Sequence, residues 1–192
     1  SLVFMANRLI KESRHPESGF YLKNIKGLVE IIKKLEKAQQ PTILFGVSFA
    51  LLALAENYTL NLKHTTIIET GGMKGRRKEI TRQELHGILT SRLKVKKIHS
   101  EYSMTELLSP AYSKGDGRFQ TPPWMKILVR DPYDPFSYMP PGKTGGINIV
   151  DLANIHSCAF IETQDLGRDY EDGIFEVMGR FDESDIRGCN LL

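Results

Sequence analysis

Ser100-Glu101-Tyr102-Ser103-Met104-Thr105-Glu106 is the stretch on which the reading of the fold turns. A short stretch with apolar ends, Val95 to Ile98, precedes it, and Met104 to Leu108 is expected to open a helix. An aromatic ring, a hydroxyl and a carboxylate are thus delivered together at the carboxyl end of a strand, where open α/β sheets place their ligand groups. The ring can stack on a flat base, the hydroxyl can bond a phosphate oxygen, and the carboxylate can hold Mg2+. Seven residues are few, however, and Tyr, Thr and Glu at such a turn also serve as packing and an N-terminal cap.

Upstream, the pattern alternates strand and helix. Asn24 caps an expected helix in which Ile25, Leu28, Ile31, Ile32 and Leu35 recur at helical spacing. Thr42 to Gly46 follows as a strand apolar on both faces, and Ser48 begins a helix to about Asn57. Thr65 to Glu69 is the next strand and ends in Thr70-Gly71-Gly72. Thr81 and Glu84 have capping-box spacing, with Leu85, Ile88 and Leu89 on one face of the helix behind them. Strands without polar alternation between helices indicate a parallel sheet covered on both sides. Residues 1 to 23 show no regular pattern beyond a turn signal at His15-Pro16-Glu17-Ser18-Gly19.

The texture changes after Pro110. Residues 111 to 123 are turn-rich and are expected to be a linker or exposed loop. Beyond them lie short β-like runs at Met125 to Val129, Ile147 to Leu152, Cys158 to Glu162 and Ile174 to Met178, separated by Pro- and Gly-bearing turns. The expected fold class is therefore α/β: part of a helix-covered, mainly parallel sheet, followed by a small β-barrel-like subdomain. The boundaries are 1–110 for the α/β part, 111–182 for the β-rich part and 183–192 for a tail.

A chain of 192 residues, 41% apolar and 26% charged, has the composition of an ordinary folded protein. No apolar run approaches the ~20 residues of a membrane span. The net charge of +3 gathers in Lys74 to Lys78 and Lys94 to Lys97, where it either flanks helices or meets a phosphate. These basic residues are not interleaved with aromatics, which argues against a nucleic-acid binder. Cys158 and Cys189 have no metal-type spacing, and a reducing cytoplasm is the simplest setting for them. Cys158 falls in a strand pattern and is expected to be buried. The chain begins at Ser1, which fits a fragment or a processed piece.

Three groups of residues now stand in order: Gly71 to Arg76, Tyr102 to Glu106, and Gly179-Arg180-Phe181-Asp182, with Glu162 to Arg168 shortly before the last. This order resembles the adenylate-forming superfamily of acyl-activating enzymes, and within it the LuxE-type acyl-protein synthetases, over about residues 40 to 192. The resemblance implies that Thr70, Gly71 and Gly72 line an adenine pocket, that Tyr102 stacks on the base, and that Thr105 contacts the α-phosphate. It also implies that Glu106 binds Mg2+ and that Asp165, aided by Arg180, holds the ribose hydroxyls. ATP and Mg2+ are the implied cofactors, a fatty or other carboxylic acid the substrate, and an acyl-acceptor or reductase protein a partner. Members of that type pass the acyl group to a cysteine near their own carboxyl end, which makes Cys189 the expected acceptor, with Arg187 favouring its thiolate.

Ser103 and Gln164 stand where the family has glycine, and glycine commonly supplies positive φ. Neither a Ser/Thr/Gly-rich phosphate loop nor a lid domain with its lysine is present in the sequence. An upstream part is therefore expected to be missing, and the chain to be weak or inactive alone. Acyl- or aryl-CoA ligation and a non-catalytic nucleotide- or partner-binding module are the competing expectations.

Overall fold

The computed structural model describes residues 2–72 and 80–181. By contacts the chain divides into two compact units, Ser1–Ile98 and His99–Leu192.

The first unit opens with α1 (Leu2–Ser13), where the sequence pattern suggested none. None of its residues is buried, and Val3, Phe4 and Leu9 are exposed. Leu2, Met5, Ala6, Leu9 and Ile10 do recur at helical spacing, a pattern that the sequence reading passed over. α2 (Ile25–Lys37) begins as expected: the Asn24 side chain accepts the Gly27 amide hydrogen at 2.9 Å, while Val29, Ile32 and Leu35 face the core. β1 (Thr42–Val47) and β2 (Thr65–Thr70) pair in parallel from Thr42 opposite Thr65 to Val47 opposite Thr70, with α3 (Ser48–Asn57) as the crossover. α4 (Arg82–Leu93) carries the full capping box: the Thr81 hydroxyl accepts the Glu84 amide hydrogen, and the Glu84 carboxylate accepts from the Thr81 amide at 2.8 Å.

Leu51, Leu52, Leu54 and Ala55 of α3, Ile67 of β2 and Leu85, Leu89 and Leu93 of α4 make one buried cluster with α2. The strand β1 is not covered on both faces as its sequence suggested: Ile43 is 67% exposed among the described residues.

The end of α2 is tied to the start of β2 through Glu36, whose carboxylate accepts from the Lys63 amide (2.9 Å), the His64 amide (3.1 Å) and the Thr65 hydroxyl (2.6 Å). Burial acts to raise its pKa, but these three donors outweigh burial and hold it below the ordinary glutamate value. A carboxyl depressed on folding stabilises the fold above its unfolded pKa of about 4.3, and that stabilisation is lost as pH falls through the lower folded value. Glu36→Gln is therefore expected to be less stable than the parent near neutrality. The gap should narrow as pH falls below about 4.3 and close below the folded pKa, as read by urea midpoints along a descending pH series.

The second unit is a run of antiparallel strands. In chain order they are β3 (His99–Tyr102), β4 (Ala111–Ser113), β5 (Arg118–Gln120), β6 (Met125–Arg130), β7 (Thr144–Asp151), β8 (Phe160–Asp169) and β9 (Ile174–Arg180). Their order across the sheet is β3-β4-β5-β9-β8-β7-β6, an open series with no closed barrel among the described residues. The α/β class thus stands, with the β-rich part an open antiparallel sheet.

Residues 111 to 123 are not a linker: they carry β4 and β5, and Ala111 and Phe119 are buried. Three-residue strands are too short to show alternation, and Gly115 and Gly117 dominate the local signal. Met104 to Leu108 is a turn and not a helix, closed by the Leu107 amide on the Met104 carbonyl at 3.2 Å. Cys158 is exposed and lies just ahead of β8. The core gathers Tyr102, Phe119, Phe175, Ile127, Val129, Ile147 and Ile149. No helix among the described residues is long and apolar enough to cross a membrane.

Candidate functional site

Tyr102 is the last residue of β3, and its ring lies in the core, edge-on to Phe119 at 5.9 Å and Phe175 at 5.6 Å. The residue is only 9% exposed. Its hydroxyl donates to Asp165 Oδ2 on β8 at 2.7 Å, joining two residues 63 apart in the chain. Burial first, and then the hydrogen bond and charge of Asp165, push the phenol well above its ordinary pKa. It is therefore a permanent donor that fixes the orientation of the carboxylate.

Arg180 sits opposite Asp165 in the β8–β9 register, with Nε 3.6 Å from Asp165 Oδ1. Its side chain is 73% exposed, so the pair is screened and is worth under about 1 kcal/mol. A guanidinium held that loosely can turn to an anionic ligand. The Asp165 amide donates to Thr163 Oγ1 at 3.1 Å, and that hydroxyl in turn donates to the Ile147 carbonyl at 2.8 Å. An ionised carboxylate has about four lone-pair sites. Tyr102 takes one on Oδ2, which leaves capacity for the two hydroxyls of a diol.

Thr105 and Glu106 occupy the exposed turn after β3. With Asn154, Cys158, Phe160 and Glu162, among others, they line a cavity of about 550 Å3. The turn is held from below by two residues that sequence reasoning passed over. Asn154 Nδ2 donates to the Glu106 carbonyl at 2.8 Å and to the Cys158 carbonyl at 2.9 Å. Asp151, 0% exposed, accepts from the Leu108 amide (3.2 Å), the Ser109 amide (2.9 Å), the Ser109 hydroxyl (2.7 Å) and the Ala153 amide (3.1 Å). The available signal was an aspartate closing a β run just before a short turn, Leu152–Asn154, which it caps.

In the first unit, Thr70 is buried at the end of β2, and Gly71 and Gly72 are exposed beyond it. Gly71 has φ +66°, a left-handed conformation that favours glycine. Ser48 at the start of α3 is placed against the Glu69 carboxylate at 2.7 Å and hydrogen-bonds the Gly71 carbonyl, so the loop leaves its strand at a fixed angle. Glu69 also faces His86 at 3.5 Å and Arg82 at 3.9 Å. These partners, too, were not singled out from sequence.

Neither Ser103 nor Gln164 is among the residues with positive φ, so neither position demands glycine. Asp182, Cys189 and the basic loop Lys74 to Lys78 lie outside the described residues.

Among the described residues no three His, Cys, Asp or Glu side chains stand together as a metal site. Mg2+ accompanying a nucleotide is bound through one or two carboxylates plus phosphates, so the exposed Glu106 fits that arrangement as a protein ligand shared with substrate.

No family model matches the sequence, and no curated protein does. Solved structures do. ATP-bound MatB from Rhodopseudomonas palustris superposes with a TM-score of 0.59 at 18% identity, over 82% of this chain and 33% of its own. The likeness is one of fold, over about a third of that protein's length. Coronafacic acid ligase from Pectobacterium brasiliense, in its R395G form, matches at a TM-score of 0.56 and 20% identity, over 82% of this chain and 32% of its own. The amide bond synthetase McbA from Marinactinospora thermotolerans matches at 0.55 and 17%, over 78% and 33%. The chain spans about a third of the length of these neighbours.

Proposed function

We propose that the chain contributes the nucleotide-binding side of a ligase that activates a carboxylic acid with ATP. The carboxylate oxygen attacks the α-phosphorus, pyrophosphate leaves, and the acyl-adenylate then yields its acyl group to a thiol as AMP departs. The observation that carries this reading is the Tyr102–Asp165 hydrogen bond with Arg180 on the same carboxylate. Three residues from three strands meet there: Asp165 and Arg180, the two expected at a ribose, and Tyr102, which was expected to stack on the base and instead holds the carboxylate. The shared fold, including an ATP-bound neighbour, supports it.

Each residue has a task in this reading. Asp165 accepts from the ribose hydroxyls, Tyr102 keeps its carboxylate oriented, and Arg180 turns from Asp165 towards the nucleotide. Thr105 donates to the α-phosphate at the cavity edge. Glu106 holds Mg2+ together with the phosphates; the ion, when bound, supplies neutralising charge for the attacked phosphorus. Stacking on Tyr102 requires more ring exposure than the 9% seen here.

The finer reading is an acyl-protein synthetase of the LuxE type, with a fatty acid as substrate and Cys189 as acceptor. Its thiolate attacks the acyl carbonyl, a tetrahedral centre forms, and AMP leaves. A chemically prepared acyl-adenylate, which bypasses the activation step, is expected to label the protein with a hydroxylamine-labile acyl group, and Cys189→Ala is expected to abolish the label. Labelling that survives the substitution contradicts the assignment. Coenzyme A is the alternative acceptor, favoured by the likeness to an o-succinylbenzoate CoA synthetase from Bacillus subtilis. Transfer to added coenzyme A with an unlabelled protein would decide for it.

A further inference from the structure

Arg130, at the end of β6, has no part in the roles given above, yet it is a buried guanidinium (8% exposed) aimed under β7 at β8. The β7–β8 ladder breaks beside it. Pairing passes from Gly146 opposite Leu166 to Asn148 opposite Glu162, so Ile147 alone faces Thr163, Gln164 and Asp165. A bulge of one residue against three takes carbonyls out of the ladder, and buried carbonyls need donors.

Arg130 supplies them. Nη1 donates to the Ile147 carbonyl at 3.2 Å and to Asn148 Oδ1 at 2.7 Å, and Nη2 donates to the Thr163 carbonyl at 2.8 Å. Nη2 also lies 3.2 Å from Glu162, which lines the cavity with Thr105 and Glu106, and the Phe181 ring centroid is 5.4 Å from Cζ. The guanidinium reaches this position because Gly146 has no side chain: a Cβ there would stand 2.5 Å from Arg130 Cζ. A planar fork of five donors suits several fixed acceptors in a way that the point charge of a lysine does not.

We propose that Arg130 is a positioning residue of the nucleotide site, building the Thr163–Asp165 bulge that presents the Asp165 carboxylate. The assignment rests on the nucleotide reading for its consequence, but not for its geometry. Thr163 is the link: its carbonyl is held by Arg130, and its hydroxyl takes the Asp165 amide hydrogen. With Arg130 replaced by methionine, similar in length and without donors, the bulge carbonyls lose their fixed donors and Asp165 loses its fixed direction.

The test uses the full chain with Arg130→Met, Arg130→Lys and, as a destabilised control, Ile127→Ala, a core residue of the same strand. Two quantities are read: amide hydrogen exchange at Gln164 and Asp165, and the Kd for AMP. Arg130→Met is expected to exchange faster at both amides and to bind AMP at least about tenfold more weakly, the scale of effect that misplacing a binding group produces. Arg130→Lys should fall between it and the parent, while Ile127→Ala should lower the melting temperature with both quantities kept near the parent values. Unchanged exchange in Arg130→Met overturns the assignment, as does faster exchange with unchanged AMP affinity. If the methionine variant does not fold, the lysine variant carries the same comparison. Failure of the parent itself to bind AMP overturns the nucleotide reading instead, and the exchange data alone then decide whether Arg130 builds the bulge.

Discussion

Asp165→Ala is expected to weaken AMP binding by roughly a hundredfold, the loss of about 2 to 3 kcal/mol attached to charge-assisted hydrogen bonds. The carboxylate is only partly buried, and Tyr102 holds one oxygen, so its remaining acceptor sites are directed and not free to rotate. The alanine variant has a second cost: the Tyr102 hydroxyl loses its acceptor in the core, which takes about 1 to 3 kcal/mol from stability. The two effects separate cleanly. Adding Tyr102→Phe to Asp165→Ala should restore part of the stability, because no orphan hydroxyl remains, and none of the binding. Asp165→Asn, which still offers one oxygen, should fall between parent and alanine. Calorimetric titration with AMP and urea unfolding of the same four proteins check both halves.

Asp151→Ala is expected to cost about 4 kcal/mol of stability, a loss at the high end for single substitutions. Asp151 is fully buried and accepts four hydrogen bonds, three of them from Leu108 and Ser109. Alanine leaves those donors without a partner, and each unpaired buried donor costs about 1 to 3 kcal/mol before the chain relaxes. The Trp124 indole N–H, which donates to the Ser109 hydroxyl at 2.8 Å, loses its anchor as well. With a slope of about 2 kcal/mol per molar in urea, the midpoint should fall by about 2 M with the slope unchanged. A loss under about 1 kcal/mol would show that the Thr105–Glu106 turn is held by something else.

The parts of the fold that were legible in sequence are those where one local signal dominates. Asn24 and the Thr81–Glu84 box mark helix starts because a side-chain acceptor must meet free amide hydrogens there, and both do so in the structure. α3 was readable because its buried leucines are many, and β1 and β2 as short apolar runs between helices, although β1 buries only Leu44 among its apolar residues. Helix α1 was passed over although Leu2, Met5, Ala6, Leu9 and Ile10 recur at helical spacing, and none of its residues is buried. β4 and β5 were hidden by length, three residues each, among glycines.

The site divides in the same way. Tyr102 could be named from its neighbours in the chain and Asp165 from the family resemblance, and a hydrogen bond joins the two. The residues that hold them could not. Arg130, Asp151, Asn154 and Ser48 act through contacts between elements distant in sequence, such as Arg130 to Thr163 and Ser48 to Glu69. No spacing rule registers a partner that the fold alone supplies.

The most direct test of the central claim is a titration of the isotope-labelled chain with AMP, followed residue by residue by NMR. If Asp165 and Tyr102 hold a nucleotide, the shifts should concentrate at Tyr102, at Thr163 to Asp165 and at Arg180, and should vanish in Asp165→Ala. Shifts confined to other residues, or equal shifts in the alanine variant, would contradict the account.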